Sequence, residues 1–371
     1  MRILHVETGR HLYGGARQVG YIVAGLQARG IDNLLAAPAD SAILTALAQQ
    51  CTATVPLQTR RGSGYSLYRE LVEAIDRHHP DLLHIHSRRL AVDFWGGLAA
   101  RKKNLPAVLS RRVDNPESTA VVRLKYRLFD HVIAISDGIR NVLLSEGLRD
   151  EKVTTVRSAI DIDEFTTHCR RSDFEQAFNL PAGSLVIAVI AQLIPRKGHR
   201  HLLHILPQLV EKYPKIRVLL FGRGPEAEAL EAEVERLGLS SIVRFAGFRD
   251  DLPRWLPCID LVVHPADMEG LGISLIQAAA SGVPIVASRV GGIPEIVRDG
   301  INGRLIEPGD TTELTNALSE LIDDASLRKE MGAAGRKITE TEFSIEQMID
   351  GNLAIYRRLL PDSDDQNPQP R

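Results

Sequence analysis

The sequence predicts an α/β protein built from two Rossmann-like domains, and three observations lead to this fold class. Short runs of branched apolar residues alternate with segments of helical periodicity. Each half of the chain contains its own series of alternating strands and helices, which is typical of parallel sheets covered by helices on both faces. The length of 371 residues fits about two domains of roughly 150 residues each.

Five strands are expected in each half. The runs of the first half are Ile3–Val6, Leu34–Ala36, Leu82–His86, Ala107–Leu109 and Val132–Ile135. Those of the second half are Val186–Ile190, Val218–Phe221, Val243–Phe245, Leu261–Val263 and Ile285–Ala287. Helices are predicted between them, as at Gln18–Arg29, where Val19, Ile22, Val23 and Leu26 recur at helical spacing.

The domain boundary is predicted in the polar stretch Phe165–Ala182, which gives domains over residues 1–170 and 171–344. Residues 345–360 are expected to form a final helix, because Ile345, Met348 and Ile349 begin an apolar stripe. The tail over residues 361–371 has almost nothing apolar to bury and is expected to be disordered.

The composition, with 44% hydrophobic and 25% charged residues, is that of a soluble globular protein. The apolar part of MRILHVETG is too short for a signal peptide, and the uncharged run Gly270–Ser288 contains Gln277 and a Gly-Val-Pro turn, so no membrane span is expected. Cys51, Cys169 and Cys258 lie far apart without a C-x-x-C pair. We therefore expect no disulfide and a reducing, cytoplasmic location.

The charge is distributed unevenly along the chain. Residues 1–170 hold 23 Lys and Arg against 18 Asp and Glu, whereas residues 171–371 hold 22 against 29. Basic residues concentrate over Arg101–Arg127, which makes this segment a candidate contact for anionic lipid head groups or a phosphorylated acceptor. A solvated helix face is the alternative. The segment lacks interleaved aromatic residues, so nucleic acid is not expected as a partner.

The segment Asp267–Pro284, DMEGLGISLIQAAASGVP, carries the most chemical information. Glu269 and Gly270 open a glycine-rich turn, an alanine-rich helix follows at once, and Gln277 stands eight residues after Glu269. The positive end of such a helix suits a phosphate group. The segment resembles the E-x7-E motif of retaining GT-B glycosyltransferases of glycosyltransferase family 4, with Gln277 in place of the second glutamate.

This resemblance covers nearly the whole chain and implies a GT-B fold, in which two Rossmann-like domains face each other across a cleft. Residues 1–170 would then bind the acceptor and residues 171–344 the donor, and helix 345–360 would cross back to the first domain. A nucleoside diphosphate sugar serves such enzymes as co-substrate. No other cofactor and no metal are expected, because cations and backbone N–H groups would stabilise the diphosphate.

For the donor, the resemblance assigns roles to two segments. In QLIPRKG, Lys197 matches the family's lysine and Arg196 adds charge, while Gln192 stands where the family has arginine. Both cations would neutralise the leaving diphosphate; the alternative is a basic loop in solvent. Glu269 would accept hydrogen bonds from sugar hydroxyls, or serve only as an acid at a helix N-terminus. Diphosphate would lie on backbone N–H groups and the ribose on Gln277; these donor-binding residues are Gly15, Gly270, Leu271, Gly272, Ile273 and Gln277.

For the acceptor, candidates follow strands of the first half. Gly14 lies in the segment GRHLYGGARQ, which resembles the family's GGA loop. His86 ends one predicted strand, and Arg111, Arg112 and Asp114 come after another. Arg112 stands near the point where many family members have a histidine. His84 and His86 share one face of a strand, but no third metal ligand stands at a telling spacing, so no metal site is expected.

We therefore expect a retaining, hexosyltransferase-like enzyme that moves a sugar from a nucleoside diphosphate sugar to a glycan or lipid-linked acceptor. The SRRVD and HLYGGARQ segments resemble those of proteobacterial members, which points to lipopolysaccharide-type cell-envelope synthesis at the inner face of the cytoplasmic membrane. Two alternatives stay open. One is a non-catalytic GT-B partner subunit, suggested by Gln192 and Gln277; the other is another GT-B enzyme, such as a nucleotide-sugar epimerase.

Overall fold

The computed structural model describes residues 1–11, 14–58, 64–86 and 89–360, which divide into two compact units. The first unit comprises Met1–Ala159 together with the described residues from Ile345 onward, and the second comprises Ile160–Ser344. The boundary expected at residues 170 and 171 falls inside the second unit. The tail expected to be disordered, residues 361–371, lies outside the described residues, as do Leu12 and Tyr13.

The first unit contains a parallel sheet of seven strands in the order β3-β2-β1-β4-β5-β6-β7. Its strands are β1 Arg2–Val6, β2 Asp32–Pro38, β3 Ala53–Leu57, β4 Leu82–Ile85, β5 Ala107–Arg111, β6 His131–Ala134 and β7 Val153–Thr155. Its helices up to the boundary are α1 Gly14–Ala28, α2 Ala42–Ala46, α3 Gly64–His78, α4 Leu90–Lys102, α5 Thr119–Tyr126 and α6 Asp137–Ser145. The strand order reverses between β1 and β4, and ligands of such sheets bind at the carboxyl ends of the strands near this point.

The second unit contains a parallel sheet of six strands in the order β10-β9-β8-β11-β12-β13. Its strands are β8 Leu185–Ile190, β9 Ile216–Phe221, β10 Val243–Gly247, β11 Leu261–His264, β12 Ile285–Ser288 and β13 Gly303–Ile306. Its helices are α7 Arg171–Ala177, α8 His199–Lys212, α9 Ala227–Arg236, α10 Leu252–Trp255, α11 Ile273–Ala280, α12 Ile293–Ile296, α13 Thr311–Asp323 and α14 Ala325–Glu342. Here the order reverses between β8 and β11, so the loops after these two strands lie side by side.

The last helix, α15 Ile345–Leu359, belongs to the first unit and packs on α1. Its Met348, Ile349 and Leu353 share a buried cluster with Ile3 and Ile22. The two helices approach so closely at Gly25 that a Cβ there would lie 1.8 Å from Ile349 Cδ1. The return of the chain to the first domain is therefore confirmed. Among the described residues, no helix has both the length and the apolar character that crossing a membrane requires.

Three strands were not expected from the sequence, and each lies at an edge of its sheet: β3, β7 and β13. Edge strands are covered on fewer sides than central strands, and these three are only partly buried. They consequently lack the continuous apolar run by which the central strands can be recognised. The fourth edge strand, β10, was nevertheless predicted, from Val243–Phe245. Helix α1 also begins at Gly14 rather than at Gln18, so Gly14 and Gly15 form its first turn.

Cys169 and Cys258 form a disulfide, so the expectation that no cysteines pair is wrong. The segment before α7 lies beside the turn that follows α10, where the Arg171 guanidinium donates to Cys258 O at 2.5 Å. This proximity arises from packing between residues 89 positions apart in the sequence, which cysteine spacing does not reveal.

Thiol titration of the oxidised protein in denaturant is expected to find one thiol per chain, that of Cys51, and three after reduction. Without denaturant the Cys51 thiol is expected to react slowly, because burial raises its pKa to about 11. The variant Cys51→Ser is the matched control and should show none before reduction. Three thiols in the unreduced protein would contradict the pairing.

Candidate functional site

Two loops at the carboxyl ends of β8 and β11 build the site of the second unit. They make direct backbone contact: Asp267 N donates to Arg196 O at 2.9 Å. Gly198 permits this approach, because it has a φ of +68° and a Cβ at that position would lie 1.7 Å from Pro265 O. The two sequence motifs that carry Lys197 and Glu269 are thereby brought together.

The carboxylate of Glu269 is the centre of this site. Its Oε2 accepts hydrogen bonds from Lys197 Nζ at 2.5 Å and from His264 Nε2 at 2.9 Å. Its Oε1 accepts from the backbone N–H of Gly270 at 3.1 Å. The Lys197 and Glu269 side chains are only 9% and 14% exposed, so the ion pair is largely removed from water. The carboxylate is held in one orientation, and the remaining lone pairs of Oε1 are the acceptors it can offer a ligand.

His264 is a site residue that the sequence analysis missed. It is the last residue of β11 and is buried beside Glu269. Its position at the carboxyl end of a central strand was the available signal, since Lys197 and Glu269 stand in loops that follow such ends. Its second ring nitrogen, Nδ1, is buried without a hydrogen-bond partner among the described residues.

The pKa of Glu269 is lowered to about 2. Burial by itself would raise this pKa, but the hydrogen bond from His264 and the charge of Lys197 outweigh burial. Because the folded-state pKa lies below the ordinary value of 4.5, the stabilisation is complete above that value and is lost as the pH falls towards 2. Glu269 is therefore ionised throughout the neutral range.

Replacing His264 by phenylalanine is expected to destabilise the protein at pH 7 by about 1.5–3 kcal/mol, because a hydrogen bond to a buried charge is lost. The difference from wild type should shrink as the pH falls through the folded-state pKa of Glu269, since protonation removes that charge in both proteins. Denaturant unfolding at several pH values measures it. His204→Phe is the matched control, because His204 pairs with Glu233 on an exposed helix face. A pH-independent difference would contradict the assignment.

The start of α11 lies directly after Glu269. Gly272, with a φ of +98°, precedes the first helical residue, Ile273, and accepts hydrogen bonds from the N–H groups of Leu275 and Ile276. The N–H of Gly270 is directed to Glu269, whereas it was expected to hold a phosphate. The other donor-binding candidates of this segment flank the same helix start: Leu271 and Gly272 are buried, and Ile273 and Gln277 are half-buried.

Neighbouring loops support this arrangement through their backbones. The N–H of Gly292 donates to Glu269 O at 3.3 Å. Gly222 and Gly224 lie against the loop that carries Lys197, where a Cβ would come within 1.9 Å of Ala191 O and 2.1 Å of Leu193 O, respectively. Arg196 is half-buried in that loop, and Gln192 is exposed.

In the first unit, His86 and Arg112 come together at the carboxyl ends of β4 and β5. Arg112 Nη2 lies 3.4 Å from His86 Nδ1. Arg111 has different partners, because its guanidinium pairs with Glu117 at 3.1 Å and donates to Asn115 O at 2.5 Å. Asp114 is buried. Gly14 is exposed, with open space where a side chain would project.

The segment Arg101–Arg127 is less cationic at its surface than its sequence indicates. Lys125 is 1% exposed and binds Glu117 at 2.6 Å and Asp93 at 3.4 Å. Arg101, Lys103 and Arg111 pair with Asp130, Asp76 and Glu117, respectively. Three of these acids, Asp76, Asp93 and Asp130, lie outside residues 101–127, so a count of charges within the segment misses them. The exposed part of α5 and the residue after it carry Arg123, Leu124 and Arg127.

His5 supplies the third histidine that spacing alone did not show. His5, His84 and His86 are fully buried on one face of β1 and β4, with one nitrogen of each ring within 4.8 Å of the others. These nitrogens already have partners: both of His84 contact Tyr356 OH and Ser110 Oγ, at 2.5 and 2.8 Å. Burial lowers the pKa of all three rings, that of His5 to about 4.

Comparison with known proteins assigns both units to glycosyltransferase models. The model for glycosyl transferases group 1 matches residues 170–338, and the model for Glycosyltransferase Family 4 matches residues 13–164. A GDP-mannose-dependent monoacylated alpha-(1-6)-phosphatidylinositol monomannoside mannosyltransferase of Corynebacterium glutamicum is 35% identical over 204 residues, 52% of this chain and 52% of that protein. The lipopolysaccharide core biosynthesis glycosyltransferase LpsE of Rhizobium meliloti is 31% identical over 175 residues, 47% and 50% of the two chains. The chain thus spans about half the length of these curated relatives.

Among solved structures, HepE of Anabaena in complex with UDP-glucose is similar with a TM-score of 0.84 and 24% identity, over 96% of this chain and 100% of that one. The same protein in complex with UDP gives a TM-score of 0.85. This likeness confirms the predicted fold, that of GT-B glycosyltransferases with two Rossmann-like domains.

Proposed function

We propose that this chain, which belongs to glycosyltransferase family 4 in the glycosyl transferases group 1, transfers a sugar from a nucleoside diphosphate sugar to a glycan or lipid-linked acceptor. The observation that carries the proposal is the buried pair of Lys197 and Glu269 at the start of α11. It places a cation, a carboxylate and a helix N-terminus within one loop cluster, which are the groups that a diphosphate and a sugar require.

In the proposed reaction, the bond between the anomeric carbon and the leaving phosphate oxygen breaks while the acceptor oxygen bonds to the same face of that carbon. The acceptor proton passes to the leaving diphosphate, so the configuration is retained. Lys197 and Arg196 stabilise the charge that develops on the phosphate, and the N–H groups at the start of α11 add to this effect. These groups supply the positive charge without a metal ion.

Glu269 would orient the sugar in this scheme. Its Oε2 is occupied by Lys197 and His264, so sugar hydroxyls would donate to Oε1. When the donor binds, Lys197 would lie between two anions, the carboxylate and the diphosphate. In this arrangement the ammonium group would reduce the repulsion between the phosphate and the carboxylate.

A variant of Gln277 tests whether this residue contacts the ribose of the nucleotide. An amide can accept from one ribose hydroxyl and donate to the other, whereas a carboxylate accepts from both. Gln277→Glu is therefore expected to change the thermal stabilisation by UDP and GDP, the two nucleotides that the relatives and neighbours point to. Saturation at a hundred times the dissociation constant adds about 2.7 kcal/mol, so a tenfold change in affinity is measurable. Gln208→Glu, at an exposed position of α8, is the control; equal behaviour of the two variants would refute the ribose contact.

A non-catalytic GT-B subunit is the first alternative, because Gln192 and Gln277 replace two charged residues of the family pattern; the presence of Glu269 and Lys197 argues against it. A nucleotide-sugar epimerase is the second. Incubation with UDP-glucose and GDP-mannose separates them: a transferase releases the nucleotide, an epimerase returns an altered sugar still attached, and a non-catalytic subunit leaves the donor intact.

A role in envelope synthesis at the inner face of the cytoplasmic membrane belongs to the same proposal. The similarity to LpsE supports it for the acceptor class. Arg123, Leu124 and Arg127 support it for the membrane, because a large apolar side chain that is 60% exposed stands between two exposed cations.

A further inference from the structure

A chain of buried hydrogen bonds runs through the first unit from β2 to the loop after β5. Asn33 Oδ1 lies 3.1 Å from His5 Nε2, and His5 Nδ1 lies 3.1 Å from His86 Nε2. His86 Nδ1 lies 3.4 Å from Arg112 Nη2. Asn33, His5 and His86 are at most 1% exposed, whereas Arg112 is half-buried. The chain therefore connects the sheet interior to the edge where ligands of such sheets bind.

The donors and acceptors in this chain can be assigned from its inner end. Asn33 Nδ2 contacts two backbone carbonyls, Val23 O at 3.2 Å and Ile31 O at 3.0 Å. Carbonyls only accept, so the amide nitrogen must face them and Oδ1 must face His5. His5 then carries its proton on Nε2, because Oδ1 is an acceptor. Its Nδ1 has a free lone pair and accepts from His86.

The same logic fixes the outer half. His86 must carry its proton on Nε2 in order to donate to His5 Nδ1, which leaves Nδ1 of His86 as an acceptor. A guanidinium only donates and is always charged, so Arg112 matches this acceptor. Burial lowers the pKa of both imidazoles, which agrees with two neutral rings. Every hydrogen bond in the chain thus points inward, from Arg112 to the carbonyls beside β2.

We propose that Asn33, His5 and His86 are positioning residues that hold the Arg112 guanidinium at the carboxyl edge of the sheet, where it binds an acceptor through an anionic oxygen group, a phosphate or a carboxylate. The proposal deepens the proposed function and rests on it for the word acceptor. Arg112 follows β5, one residue beyond Arg111, and Arg111 directs its guanidinium to Glu117 and Asn115. Arg111 therefore binds groups within the fold, whereas Arg112 lies at the edge of the sheet beside His86.

The alternative interpretation of the three histidines is that His5, His84 and His86 bind a metal ion. It would require the Nδ1 of His86 to carry a proton that points at Arg112, and it would place a divalent charge beside that guanidinium. It would also displace Tyr356 OH or Ser110 Oγ from His84. The inward hydrogen-bond direction avoids all three costs.

Nitrogen NMR of the full chain with labelled histidine tests the assignment without any glycosyl transfer. The rings are identified with His5→Gln and His86→Gln. At neutral pH both are expected to be neutral with the proton on Nε2. A charged His86, a proton on its Nδ1, or stoichiometric Zn²⁺ that shifts all three rings would overturn the proposal.

Titration with inorganic phosphate, with UDP present to fill the second unit, tests the anion site. Phosphate is expected to shift the His86 signal in wild type and not in Arg112→Gln, and to bind at least tenfold more weakly to Asn33→Asp, whose carboxylate cannot donate to the two carbonyls. Asn352→Asp is the matched control, because Asn352 is a buried asparagine of α15 that takes no part in the row of hydrogen bonds from Asn33 to Arg112. Acetate in place of phosphate distinguishes the two anion classes.

An unchanged phosphate response in Arg112→Gln, or equal losses in Asn33→Asp and Asn352→Asp, would refute the anion site. Should Asn33→Asp fail to fold, the wild-type ring assignment and Arg112→Gln still decide. Both readouts are independent of transferase activity, so an inactive protein with the expected ring protons would refute only the proposed function.

Discussion

The variant Lys197→Ala is expected to lose sugar transfer by on the order of a hundredfold or more, the usual effect of removing one preorganised group that stabilises developing charge. Lys197 is the only lysine or arginine that contacts Glu269 in the described part of the second unit. Its removal leaves the carboxylate beside the diphosphate without the cation between them. The loss should therefore appear in the turnover rate as well as in donor affinity.

Steady-state transfer from the donor identified by nucleotide stabilisation measures this effect. Arg200→Ala is the matched control, because Arg200 is a cation close in sequence whose partners, Glu226 and Glu233, lie on an exposed face. It should keep wild-type rates. Lys197→Arg should recover part of the loss, since charge is kept while the ammonium geometry is not. A rate for Lys197→Ala within a few-fold of wild type would remove Lys197 from the diphosphate site.

The second large effect is expected at Gly198, where alanine should destabilise the second unit far more than a positive φ alone explains. A left-handed conformation costs a non-glycine residue about 1–2 kcal/mol. At Gly198 the added Cβ would also meet Pro265 O at 1.7 Å, so the two site loops must separate. Gly198→Ala should thus lower both stability and donor binding.

Gly183→Ala separates these two contributions. Gly183 has a φ of +73°, close to the +68° of Gly198, but no atom lies within 4 Å of the position its Cβ would take. Thermal unfolding of the two variants, with and without UDP, gives the comparison. Equal shifts in melting temperature, with UDP binding intact in both, would show that the loops do not depend on their close approach.

The central strands of both sheets could be predicted because burial on both faces leaves a continuous apolar run. Three of the four edge strands, β3, β7 and β13, could not, since their exposed sides relax that requirement. The disulfide between Cys169 and Cys258 could not be predicted from the sequence either. It depends on which surface segments pack together, and spacing carries no such information.

The residues of the candidate site could be predicted from local motifs, whereas most contacts between them could not. Lys197 and Glu269 were each predicted by a local motif, because both stand in a loop after a strand. Their ion pair arises because the loops that carry them follow β8 and β11, which are adjacent in the sheet and distant in sequence. The partnership of Asn33 with His5 is of this kind too, since β1 and β2 are joined by a helix and align only in the folded sheet. His264 stands only five residues before Glu269, so its contact is local, but no motif marked it.

The place of α15 has a consequence for how the chain is made. The second unit is continuous from Ile160 to Ser344, whereas the first unit needs the helix that begins at Ile345. At about 5–20 residues per second, the ribosome takes roughly 10–40 s to add the residues between the first unit's sheet and the end of this helix. Until then the groove around Gly25, Ile3 and Ile22 stays uncovered. The half that is synthesised first is therefore the last to complete its core, and until α15 is added its nascent form exposes an apolar groove that a chaperone can bind.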